Sequence, residues 1–341
     1  MGGPPHVSGP PQLPTLMSWF NLISDLDTRA AHLLSNGLTR NSRRAYSQGV
    51  QKFLEFCDLY KISPYIISES SIIRFITHLS SITNSTSTIR VYLSALRAWY
   101  LSQGMDPGSF YSPRVKWMIK AVDRQAEPPS RVKPFTYSLF TLIAPIVPHT
   151  PHNLICFTAM LVGYFGCLRS SEYLSEPGAS RPLLPAHVQI VESSPPYLSI
   201  KVQSSKTASN GFHVVIGCTS SSICAVCWLR AMLLDRSLPP HLPLFSFSDG
   251  SPLTRSLLAR FMQGALGAAG LDPSGWSPHS LRAGSATDAA GLGWSEQQIQ
   301  SLGRWRSEAY KLYIRPSDRQ RASYSAQLAS VHGPLLRTSS S

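Results

Sequence analysis

The chain has 341 residues, 43% of them apolar, which is enough for two domains with a core each. Lys and Arg outnumber Asp and Glu by 31 to 18, a formal charge of +13, and a balance this basic suits a polyanionic partner. Six scattered cysteines, mostly in apolar runs, argue against a disulfide scaffold and for a reduced compartment. The N-terminus lacks the basic and apolar regions of a signal peptide. The most apolar run, Leu154 to Leu168, is shorter than the roughly 20 residues of a membrane span and reads as a buried core helix, so no membrane partner is expected.

In chain order, residues 1–15 are rich in Gly and Pro and are expected to be disordered. Residues 17–123 read as a helical domain. Its best segments are Ser42–Tyr60, with Tyr46, Val50, Phe53 and Cys57 at helical spacing, and Thr86–Gln103, with Ile89, Leu93, Leu96 and Tyr100 on one stripe. Arg43 and Arg44 fall in the first turn of their helix, where cations oppose the dipole; that suits a phosphate held against this end, and two solvated arginines would look the same. Arg90 and Arg97, seven apart, share a face that either tracks a DNA backbone or is plainly solvated.

The Pro-rich stretch 126–134 reads as a linker, and residues 135–330 as a mixed domain: apolar helix, hairpin, then a series of helices. Arg169 directly follows the apolar run, next to a core, and Glu172 one turn on is its natural partner. Leu198–Val202 and His213–Ile216 read as paired strands, with Lys206 near the tip of the polar segment between them. Cys218, Cys224 and Cys227 come close to a zinc pattern. No second Cys/His pair follows at ligand spacing, and Cys224 and Cys227 fall in the helical run Ile223–Leu234, so no metal site is expected.

Ser277 reads as an N-cap and Pro278 as the first helical residue, which sets His279 and Arg282 on one face of a first turn where free N–H groups favour an anion. The small residues Gly284 to Thr287 permit close packing. Tyr310 and Tyr313 share a helical face further on, and either reads equally well as a core aromatic. The tail 335–341 is small and polar, expected to fray.

The ordered set Arg169, Lys206, His279-x-x-Arg282, Tyr313, spread over these two domains, resembles the tyrosine recombinases of the phage-integrase family. The wording from Leu302 to Arg315 is most similar to recombinases of eukaryotic DIRS-type and crypton-type mobile elements, and the Thr88–Arg97 stretch resembles the helical core-binding domain. The resemblance implies a mainly α fold, an all-helical DNA-binding domain followed by an α+β catalytic domain with a small hairpin. It implies site-specific breakage and rejoining of duplex DNA through a 3′-phosphotyrosyl link for mobile-element integration or excision. A homotetramer on two DNA sites and action in the nucleus follow from it, with no cofactor and no metal. Tyr313 would be the nucleophile, Arg169 and Arg282 would clamp the phosphate with Glu172 orienting Arg169, and Lys206 would protonate the departing 5′ oxygen. The family usually places a His or Trp nine residues before its tyrosine. Here that position holds Arg304, with Trp305 eight back, so either fills the role. The segment after Tyr313, through 320–331, would dock into a neighbouring protomer. Two rival readings are a domesticated DNA-binding protein that does not cut, and a nicking-closing enzyme of the type IB topoisomerase kind.

Overall fold

The computed structural model describes residues 40–83, 85–126, 132–176, 181–203, 211–234 and 238–314, together with the isolated positions 25, 26, 28, 29, 37 and 322. The chain divides into two compact units, Met1–Pro129 and Ser130–Ser341.

Among the described residues the first unit contains the helices α1 (Arg40–Tyr60), α2 (Glu69–Ile82), α3 (Thr86–Ser102) and α4 (Pro113–Gln125). Three of them begin at serines, Ser68, Ser85 and Ser112, whose hydroxyls accept backbone N–H groups that the helix leaves without partners. The apolar stripes meet in one core. Phe53 and Phe56 of α1 face Phe75 of α2, the Phe53 and Phe75 rings lying edge to face at 5.2 Å, while Ile89, Leu93, Leu96 and Tyr100 of α3 close it. Tyr100 is fully buried, and its hydroxyl donates to the Pro64 carbonyl, so its polar end is satisfied.

In the second unit, α5 (Tyr137–Ile143) precedes α6 (Pro151–Phe165), in which every residue from Ile155 to Tyr164 is buried. This is the core helix that the apolar run foretold. The four-residue α7 (Ser170–Tyr173) follows at once. A three-stranded antiparallel sheet comes next: β1 (Val188–Val191), β2 (Tyr197–Val202) and β3 (Phe212–Gly217), in the order β1-β2-β3. The expected hairpin is β2 with β3, paired from Tyr197–Gly217 to Val202–Phe212; the first strand was not foreseen. Helices α8 (Ala225–Leu234), α9 (Arg255–Ala268), α10 (His279–Gly291) and α11 (Glu296–Gly303) follow, and then a 3-10 turn, Glu308–Leu312. Among the described residues no helix is long and apolar enough to cross a membrane. The fold is thus mainly helical with one small sheet.

Two local readings need correction. Helix α8 starts at Ala225, so Cys224 lies just before it rather than within it. Ser277 does not cap α10: Pro278 already has helical angles, and the Ser280 hydroxyl instead accepts the Ser277 N–H at 3.1 Å.

Candidate active site

Arg169 and Glu172 take their positions from the break between α6 and α7. Glu172 is the third residue of α7, and its carboxylate reaches back to the Arg169 backbone N–H at 2.8 Å, closing the turn. Its other oxygen accepts from Arg169 Nη1, also at 2.8 Å. The Glu172 side chain is fully buried, and Arg304 Nη2 stands 3.7 Å from it. One carboxylate therefore orients two guanidinium groups.

Arg304 ends α11 in the left-handed conformation, at φ 56° and ψ 40°. That turn sends its guanidinium back toward α6, where it donates to the carbonyls of Gly166 at 3.2 Å and Cys167 at 3.0 Å. The Phe212 ring, at the loop end of β3, lies 4.6 Å below it. Gly303 is required beside it, because a Cβ there would stand 1.8 Å from the Trp305 ring.

Arg282, one turn into α10, is the largest fully buried side chain among the described residues. Its terminal nitrogens donate to the carbonyls of Cys167 and Gly303, and its Cζ sits 4.3 Å over the Trp305 ring. Burial, reinforced by neighbouring Arg169, lowers its pKa, and burial likewise lowers that of Arg304; a guanidinium stays charged regardless. The Nε of each arginine is buried and, among the described residues, has no acceptor. Helix α10 can lie this close because Gly284 has no side chain: a Cβ would stand 1.8 Å from the Phe135 carbonyl oxygen.

His279 starts α10, and its Nε2 lies 3.1 Å from the Tyr313 hydroxyl. Burial, then the charges of Arg282, Arg255 and Arg169, push its pKa below the usual histidine value, so the imidazole is neutral near pH 7. Tyr313 is half-buried, and its backbone carbonyl accepts from Thr287 Oγ1 at 2.8 Å. Tyr310 is different: it is 1% exposed and packs with Trp305, Ile299 and Ala289 in a small cluster. Trp305 is itself buried, its ring 5.4 Å from that of Tyr313.

The structure thus brings together Arg169, Glu172, His279, Arg282, Arg304, Trp305 and Tyr313. Lys206 lies outside the described residues, as do the tail 335–341 and all of 320–331 except Ala322; Phe212 nevertheless puts the loop end of the hairpin against Arg304. In the first unit, Arg43 and Arg44 are exposed near the start of α1. Arg90 is ion-paired with Asp123, and Arg97 lies 5.1 Å over the Tyr111 ring. Thr287 and Arg255 were missed in the sequence. Thr287 lies two steps of four residues after His279 on the same helix, a spacing that could have pointed to it; Arg255 carries no such signal.

Residues 26–103 match the phage integrase N-terminal SAM-like domain. No curated protein matches the sequence. Solved structures do match the fold. One is the XerH site-specific recombinase bound to palindromic difH substrate, at 15% identity and a TM-score of 0.60 over 84% of this chain and 79% of that one. Another is the Tn1549 transposon integrase in complex with circular intermediate DNA, at 14% and 0.56 over 85% and 94%. A third is a lambda integrase dimer bound to a COC′ core site, at 18% and 0.54 over 90% and 78%. Residues 26–103 thus resemble a phage-integrase N-terminal SAM-like domain, and the chain shares the fold of these recombinase and integrase structures.

Proposed function

We propose that this chain is a site-specific DNA recombinase that breaks and rejoins duplex DNA through Tyr313. The observation that carries the reading is the Tyr313 hydroxyl on a neutral His279, at the edge of three guanidinium groups, two of which share one buried carboxylate. Three positive charges against one negative, largely out of water, are costly unless an anion completes the set. A DNA phosphate is such an anion, and its charge grows in the pentacoordinate transition state, where fixed donors count most.

The chemistry is then a single displacement run forward and back. The Tyr313 oxygen attacks the phosphorus while His279 Nε2 accepts the phenol proton. The bond to the 5′ oxygen breaks, Lys206 supplies its proton, and a 3′-phosphotyrosyl link remains. A 5′ hydroxyl from a partner duplex attacks that link and releases Tyr313. Arg169, oriented by Glu172, faces the phosphate, and Arg304 takes the place that a His or Trp holds elsewhere in the family, with Trp305 as the platform under Arg282. Four chains on two DNA sites would complete an exchange. The likeness of the segment from Leu302 to Arg315 to DIRS-type and crypton-type recombinases supports a mobile-element role in the nucleus. A supercoiled plasmid carrying the element's terminal sequences tests the reading: recombinant circles support it, relaxed circles alone indicate a nicking-closing enzyme, and unchanged plasmid with bound protein indicates a silent DNA binder.

A further inference from the structure

Away from the tyrosine site, three cysteines that the sequence keeps apart converge where β3 hands over to α8. Cys218 directly follows β3, Cys224 directly precedes α8, and Cys227 lies in its first turn. The Cys218 sulfur is 3.5 Å from that of Cys224 and 3.8 Å from that of Cys227, and all three lie within 4.8 Å of one another. Four sulfurs bound tetrahedrally at the usual Zn–S length of about 2.3 Å would be separated by about 3.8 Å. The cluster already has that edge.

Packing alone does not explain the arrangement. Cys224 is buried, but Cys218 is only half-buried and Cys227 is exposed, so two of the three sulfurs add little to a core. The connecting loop is built to hold them. The Thr219 N–H donates to the Cys224 sulfur at 3.4 Å, Thr219 and Ser221 hydroxyls both donate to the Ile223 carbonyl at 3.2 Å, and the Trp228 indole donates to the Ser222 carbonyl at 2.8 Å. Ser220 takes the left-handed conformation, φ 51°, that the turn requires. Sulfurs at the start of a ten-residue helix also meet its positive end, which favours thiolates.

We propose that Cys218, Cys224 and Cys227 bind a thiophilic divalent cation, Zn2+, with the fourth position open to water. The ion would clamp β3 to α8 and so brace the hairpin whose loop carries Lys206. No bond made or broken in the proposed strand exchange involves the ion, and metal uptake is read without DNA, so the two readings fail separately. The test uses the full chain, reduced and stripped of metal, titrated first with Co2+ and then with Zn2+. The expected result is one Co2+ per chain with the sulfur-to-cobalt charge-transfer band and intense visible absorption of a tetrahedral thiolate site, displaced by Zn2+. Cys227→Ser, exposed and so safe for folding, should weaken binding by more than about 100-fold, the upper end of what losing an outer-shell partner does. Cys57→Ala, in the other unit, should leave it unchanged. Chelation of the zinc form should speed amide exchange in β3 and the first turn of α8. A reduced wild-type chain that takes up no cobalt overturns the proposal, as does uptake that survives in Cys227→Ser or a Cys218–Cys224 disulfide in its place.

Discussion

Two tyrosines three residues apart differ in what surrounds their hydroxyls, and that difference makes the nucleophile assignment testable. Tyr310 is enclosed with Trp305, while Tyr313 is half-buried with His279 at 3.1 Å. Tyr313→Phe should bind DNA normally and form no covalent adduct on a nicked suicide substrate; Tyr310→Phe should still form it, and denaturing gels read both. An adduct in the Tyr313 variant would transfer the role. Arg169→Ala should slow cleavage about 10²–10³-fold, the usual loss when one transition-state donor is removed. His279 makes a prediction about pH. Its folded pKa lies below the ordinary value of about 6.5, so the unfolded chain binds the proton more readily. The neutral form's contribution is whole above pH ~6.5 and is lost as pH falls through the folded pKa. Melting temperatures at pH 7 and pH 5 should differ by less in His279→Gln than in the parent, and an equal drop in both would place the acid sensitivity elsewhere.

At the scale of elements, α10 decides how tightly the site closes. Gly284→Ala puts a methyl group 1.8 Å from the Phe135 carbonyl oxygen, a clash with backbone that no side-chain motion relieves. It should cost about 3 kcal/mol, the upper end for overpacking, seen as a lower urea midpoint with an unchanged slope. The hairpin carries the other prediction. Lys206→Ala should be slow on ordinary DNA and nearly restored when sulfur replaces the leaving oxygen, since a thiolate departs without a proton; no rescue would give Lys206 another role. These elements also show what a sequence displays. Helices α1 and α3 were legible because one-sided burial imposes a 3.6-residue period, α6 because burial all round gives an unbroken apolar run, and β2 with β3 because alternation flanks a polar turn. Strand β1 was not, being four residues long with only partial burial. Within the site, the pairing of Arg169 with Glu172 is local and so was visible. That Arg304 would turn back through a left-handed residue to share the same carboxylate depends on contacts some 130 residues apart in the chain, and no local pattern encodes it. The meeting of three cysteines was hidden for a related reason: the sequence suggested a helix that would separate Cys224 from Cys218, whereas the loop folds before the helix begins.

For the whole molecule, the question is how the positive charge is shared between the two units. Residues 17–123 hold twelve Lys and Arg against seven Asp and Glu, and the rest of the chain nineteen against eleven. The first unit has its own core, to which α1 to α4 all contribute, and three of these helices start at capping serines, so it is expected to fold alone. Part of its charge is already engaged, since Arg90 pairs with Asp123, although an exposed pair of this kind is worth at most about 1 kcal/mol and yields readily to a phosphate. Each phosphate contact releases condensed counterions, so the logarithm of affinity falls with the logarithm of salt at about 0.9 per contact. A fragment covering 17–123 should therefore bind duplex DNA more weakly than the full chain and with a shallower salt slope. Arg43→Ala with Arg44→Ala should flatten that slope further, by up to about two contacts. Fluorescence anisotropy on one labelled duplex between low and moderate salt measures all three. A folded fragment whose affinity ignores salt would show that the helical unit does not grip the DNA backbone, leaving recognition to the unit that carries the tyrosine.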